Sequence, residues 1–174
     1  MNSVVTGLKS AEELVACTKV LVIDDDYYMR KVIRSLLLAV GIKDVHEAAN
    51  GVDGLEVIPQ ITPDVVILDW EMPHLTGGEF MRIIRTPEGF SRPDVPVIML
   101  TGHVERERVV EAVRLGVNEF LCKPVSAKLL QQRIMAIRCN PRPMVRIGGY
   151  YGPEPRKVRA NSRNWNDPAE PVWV

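Results

Sequence analysis

From about Lys19 to Arg138 the chain alternates two hydrophobic patterns. Short β-branched apolar runs over 20–23, 65–68 and 97–100 predict strands, and two weaker strands are placed over 44–48 and 119–122. Near-continuous apolar strands of this length suit a parallel sheet covered on both faces. Between them the apolar positions recur at three and four. Met29, Val32, Ile33, Leu36, Leu37 and Val40 make the strongest stripe, and Gly41 supplies its stop. Phe80, Ile83 and Ile84 mark a short helix after Gly77 and Gly78. Val109, Val110 and Val113 form a thin stripe ending at Gly116. Leu130, Ile134 and Ile137 form another, with Ser126 as its N-cap. The segment from Val52 to Ile58 predicts a helix with Pro59 at or near its end.

Five strands alternating with five helices predict an α/β fold, a doubly wound parallel sheet with right-handed crossovers. This core spans residues 19–139. Residues 1–18 read as an N-terminal arm or a short helix around 10–16. Residues 140–174 shift to Pro, Gly, Arg and Asn, and read as an extended basic, Pro-rich tail.

Composition narrows the class further. At 174 residues the chain holds one domain with a full core plus some tail. Its formal net charge of zero gives no general attraction to nucleic acid or an anionic membrane. Cys17, Cys122 and Cys139 are scattered, as expected in a reducing cytosol. No basic segment with a following apolar run starts the chain, and no apolar run is long enough for a bilayer. A soluble, cytoplasmic protein is expected.

In open α/β sheets, ligands bind beyond the carboxyl ends of the strands. The first strand is followed by Asp24, Asp25 and Asp26, the third by Asp69, the fourth by Thr101 and Gly102, and the fifth by Lys123 and Pro124. Carboxylates converging in one crevice call for a cation, and hard oxygen ligands favour Mg²⁺, with Mn²⁺ as a substitute. A lysine can pair with a carboxylate at rest and with a phosphoryl oxygen later, and a threonine hydroxyl can donate to another. These are the parts of a phosphoryl-transfer site, with Asp69 as the nucleophile. A run of three aspartates is usually a solvated face or a helix start. Asp26 is read that way, as the N-cap of the next helix.

The segments Val20-Leu-Val-Ile-Asp24-Asp25-Asp26, Val66-Ile-Leu-Asp69-Trp-Glu-Met-Pro73, Val97-Ile-Met-Leu-Thr101-Gly102 and Phe120-Leu-Cys-Lys123-Pro124 together resemble the signatures of response-regulator receiver domains. The resemblance implies the flavodoxin-like strand order 2-1-3-4-5. It implies Asp69 as phosphoacceptor, with Asp24, Asp25, Asp69 and the backbone carbonyl of Glu71 holding Mg²⁺. Thr101 and Lys123 become the phosphoryl-binding side chains, Thr101 and Phe120 the switch pair, and the Lys123–Pro124 bond cis. The implied partners are a histidine kinase or phosphotransfer protein and a downstream protein effector, with phosphorylation-dependent dimerisation open. The expected protein signals rather than turning over a substrate.

His74 and His103 lie in loops by the crevice, where scattered histidines rarely bind metal, and His103 could tune water access. Trp70 is expected to be a packed neighbour of the acceptor, and Cys122 a small core residue. In the tail, residues 138–163 are rich in Arg with Glu154 as the one acid, which could contact nucleic acid but more often marks a flexible arm or docking peptide. Arg142-Pro-Met-Val-Arg146 and Tyr150-Tyr-Gly-Pro153 resemble a tail of alphaproteobacterial single-domain regulators. Pro171-Val-Trp-Val174 could anchor the tail. Two alternatives stay open: a haloacid-dehalogenase-like phosphatase using Asp24-x-Asp26, and a receiver fold that binds without phosphorylation.

Overall fold

A computed structural model describes residues 10–102 and 105–156. The predicted positions of His103 and of Pro171 to Val174 lie outside the described residues. Five strands, β1 (Val20–Ile23), β2 (Val45–Ala48), β3 (Val65–Asp69), β4 (Val97–Thr101) and β5 (Glu119–Cys122), form one sheet in the order β2-β1-β3-β4-β5. Every pairing in it is parallel. All five expected strands are present within one residue of their expected limits.

The helices are α1 (Ala11–Ala16), α2 (Tyr27–Ala39), α3 (Gly51–Ile61), α4 (Gly77–Ile84), α5 (Arg106–Arg114) and α6 (Ala127–Cys139). Their caps follow the sequence chemistry. Asp26 accepts from the Tyr28 and Met29 amides at the start of α2, which supports its reading as a cap. Ser126 accepts from Leu129 at the start of α6, and Thr76 and Glu79 form a reciprocal capping box on α4. Gly41 and Gly116, just past α2 and α5, have φ of 91° and 77°, the left-handed region that ends a helix without a Cβ clash. Helix α3 runs two residues beyond Pro59. A proline in the last turn forfeits one amide bond there without breaking the turns before it.

Alternation along the strands divides the core in two. Leu21, Ile23, Val66, Leu68, Val97 and Met99 face one side with Ile58, Phe80, Met81, Ile84 and Ala112 from α3, α4 and α5. Val20, Val22, Val65, Ile67, Ile98, Leu100 and Leu121 face the other, with Ile33, Leu37, Leu130 and Ile134 from α2 and α6. Helix α1 adds Val15 to this second layer. Both faces of the sheet are covered, which accounts for the unbroken apolar runs.

One expectation needs correction. Part of the supposed extended tail is a hairpin, β6 (Met144–Ile147) paired antiparallel with β7 (Tyr150–Pro153). Gly148 and Gly149 make its two-residue turn, and Gly148 has a φ of 57°. Mirror-image hairpin turns require positive φ, so Gly-Gly between Met-Val-Arg-Ile and Tyr-Tyr is the local signal for this turn.

Candidate functional site

Parallel register brings the chemistry together. Ile23 pairs with Leu68, Asp69 with Leu100, and Thr101 with Cys122. The strands therefore end at one level, and Asp24, Asp69, Thr101 and Lys123 emerge along one edge. Asp24, Asp69 and Thr101 are only 1 %, 4 % and 0 % exposed, respectively, whereas Asp25 is exposed. Carboxylate oxygens of Asp24, Asp25 and Asp69 lie within 4.8 Å of one another.

Lys123 closes the cluster. Its Nζ is 2.8 Å from Asp69 Oδ1 and 3.0 Å from Asp24 Oδ2. The other Asp24 oxygen accepts the Asp26 amide at 2.8 Å. The peptide before Pro124 is cis, as the resemblance implied. The Lys123 amide donates to the Thr101 carbonyl at 2.8 Å, tying the ends of β4 and β5 together.

Burial is the main influence on Asp69 and raises its carboxyl above the ordinary aspartate value. The Lys123 hydrogen bond and charge offset part of this rise, while Asp24 and Asp25 add to it. For Lys123 burial acts downward, but its bonds and charge attraction to Asp69 and Asp24 outweigh it and raise the ammonium. The lysine is therefore a fixed cation at neutral pH, facing more negative charge than it neutralises.

Several supports escaped sequence reasoning. The Arg30 guanidinium donates to the Asp24 and Asp25 carbonyls at 2.7 and 3.2 Å, pinning the acidic turn from α2. Arg108 of α5 lies 5.5 Å from the Trp70 ring centroid and 3.4 Å from the Glu71 carboxylate. It links α5 to the loop that follows Asp69. No local pattern reveals such partners, because each lies on another element. The sequence pattern marks Gly77 only as a helix start. A Cβ there would meet the Asp69 carbonyl oxygen at 2.6 Å, so only glycine lets α4 begin directly behind Asp69.

Of the other expected residues, Trp70 is buried, in keeping with a packed neighbour. Phe120 is half-buried on β5 and packs against the core layer under α3, α4 and α5. Met99 pairs with Phe120 and Thr101 with Cys122, so Thr101 and Phe120 project from the same face of the sheet. His74 is exposed in the loop after β3, with a φ of 66°, outside the acidic cluster. Among the described residues no helix is long and apolar enough to cross a membrane.

Residues 20–135 match the family described as "Response regulator receiver domain". The chain belongs to that family. The receiver is 34 % identical to the chemotaxis protein CheY of Pseudomonas aeruginosa over 119 residues, covering 68 % of this chain and 94 % of the relative. It is 33 % identical to the chemotaxis protein CheY-3 of Vibrio cholerae, covering 67 % and 88 %. Among solved structures, Vibrio cholerae CheY4 superposes with a TM-score of 0.62 at 29 % identity, covering 69 % of this chain and 98 % of that one. A response regulator receiver domain protein from Clostridium thermocellum gives 0.60 at 35 % identity, covering 67 % and 90 %. This receiver is thus a CheY-like response regulator of two-component signalling, and its acidic group lies where the sequence segments of the family converge.

Proposed function

We propose that this receiver accepts a phosphoryl group on Asp69 from a histidine kinase or phosphotransfer protein and passes the signal to a protein partner by changing shape. The observation that carries the reading is the placement of one lysine, Lys123, between Asp69 and Asp24, with Asp25 at the open side of the same cluster.

Three carboxylates offering hard oxygen atoms fit Mg²⁺, and Mn²⁺ in its place. Asp24, Asp25 and Asp69 would hold it, with the Glu71 backbone carbonyl as a further ligand. When bound, the ion neutralises negative charge on the transferring phosphoryl group. The chain supplies the rest. An Asp69 carboxylate oxygen forms the new bond to phosphorus as the donor's P–N bond breaks and its imidazole leaves. Lys123 shifts from its resting carboxylate contacts toward a phosphoryl oxygen, and the Thr101 hydroxyl donates to another. The modification adds about 1.5 to 2 negative charges at neutral pH. Movement of Thr101 toward them gives Phe120 room to turn inward on the shared sheet face. Helix α5 buries only Ala112 and has no side-chain N-cap, so it is the element least anchored against such a repacking. The response is a population shift between two packings.

The test is incubation with acetyl phosphate and Mg²⁺ followed by mass spectrometry. The expected result is one phosphoryl adduct on the Asp69 peptide, absent from Asp69→Asn. Trapping on Asp24 instead would favour the haloacid-dehalogenase-like alternative. A signalling activity unchanged by Asp69→Asn would favour a binding module.

A further inference from the structure

The hairpin is seated on the receiver by features that have no part in the phosphoryl site. Gly152 of β7 and Gly116, between α5 and β5, meet backbone to backbone. A Cβ on Gly152 would lie 2.6 Å from the Gly116 Cα, and one on Gly116 would lie 2.7 Å from the Tyr151 carbonyl oxygen. Arg142 donates to the carbonyls of Asn118 and Glu154. Arg146 pairs with Glu88 beyond α4, and Arg156 pairs with Glu119, the buried first residue of β5.

The surface covered this way is the one that carries the switch aromatic. Tyr150, Pro153 and Pro155 enclose a pocket of about 30 Å³ together with Phe120 of β5 and with Val109, Ala112 and Val113 of α5. Val109 and Val113 of the thin α5 stripe thus line a pocket with the chain's own tail, while Val110 stays exposed.

We propose that residues 141–156 are an intramolecular ligand of the α5–β5–α6 face, docked in the resting state and released when Asp69 is phosphorylated, so that a protein partner and the hairpin compete for one surface. The inference rests on the phosphoacceptor reading given above. An inward turn of the Phe120 ring withdraws one wall of the enclosed pocket, and any repacking of α5 moves three others. The hairpin therefore binds the resting packing better. Coupling of equilibria is reciprocal: if the phosphorylated packing weakens docking, loss of docking favours that packing by the same factor.

Amide hydrogen exchange of residues 144–153, read by mass spectrometry with and without Mg²⁺ and beryllofluoride, tests this on the full chain. Protection at rest is expected to fall about tenfold on activation, within the usual range of coupling between two sites. Gly152→Val should exchange rapidly in both states and reach half-phosphorylation at a several-fold lower acetyl phosphate concentration. Arg142→Gln removes a tether without adding bulk and should shift both readouts the same way. Hairpin protection unchanged in protein whose Asp69 adduct is confirmed by mass would overturn the inference and leave the phosphoacceptor reading intact. So would a released hairpin in both variants with unchanged phosphorylation. Absence of any Asp69 adduct would overturn both.

Discussion

Lys123 Nζ sits 2.8 Å from Asp69 and 3.0 Å from Asp24, so a single cation serves two buried carboxylates. The imbalance leaves the site electrostatically strained at neutral pH, and burial pushes the Asp69 carboxyl upward. A carboxyl whose folded value exceeds its unfolded value binds protons more tightly in the native state. Its stabilising contribution is complete below the unfolded value and is lost as pH rises through the folded value. Ionised Asp69 therefore opposes folding at pH 7. Asp69→Asn is expected to be more stable than the parent at pH 7, by about 1 kcal/mol or roughly 2–4 °C in Tm. The advantage should shrink as pH falls through the raised Asp69 value toward the ordinary aspartate range, and be gone below it. Thermal melts across pH check this, and a less stable Asn variant at pH 7 would contradict it.

The same excess of negative charge predicts a response to divalent cation. Trp70 is buried directly after the acceptor and carries Arg108 over its ring. Adding Mg²⁺ should change its fluorescence saturably. It should also raise stability, by about 2.7 kcal/mol at a hundredfold excess over Kd. Asp25→Asn removes one ligand while leaving Lys123 and its two partners in place, and is expected to need at least about tenfold more Mg²⁺. A fluorescence titration on both proteins decides it, and identical curves would remove Asp25 from the ligand set.

Thr101 and Phe120 share one sheet face without taking part in bond formation. Thr101→Ala should accept phosphate from acetyl phosphate yet pass little signal, giving phosphorylated protein whose affinity for its output partner stays near the resting value. Phe120→Ala should do the same while leaving the Asp69 adduct unaffected. Normal partner affinity in either phosphorylated variant would sink the proposed route out of the site.

Arg85 has the structural role furthest from its sequence appearance. It closes α4 with a buried guanidinium that donates to the carbonyls of Pro93, Val95 and Gly116 and to the Asn118 side chain. Burial pulls its pKa down to about 10, so it stays charged at neutral pH. Its fork holds acceptors from two segments, 93–95 and 116–118, at once, which a lysine cannot span. Arg85→Lys is expected to lose about 2–4 kcal/mol, since each stranded buried acceptor costs about 1–3 kcal/mol. A drop in urea midpoint at constant slope is the measure, and an unchanged midpoint would show the network to be dispensable.

Local chemistry in the sequence was enough to determine the alternation of strands and helices, the caps at Asp26 and Ser126, and the residues ending each strand. These features depend on neighbours within one turn or one strand, so they can be read from spacing. The grouping of Asp24, Asp69, Thr101 and Lys123 was also legible, because a parallel doubly wound sheet must send its strand ends to one edge. Tertiary structure alone decided which groups meet within that edge and what holds them. Arg108 over Trp70 and Arg85 among carbonyls of two segments pair separate parts of the chain, and Arg30 reaches back from α2 to the turn before it; none of these leaves a periodic trace. The hairpin lies between these cases. Its Gly-Gly turn was visible, but two short strands bury too little on their own to specify a position. They are held by Gly116, Asn118 and Glu119 on a surface that exists only after the sheet has formed.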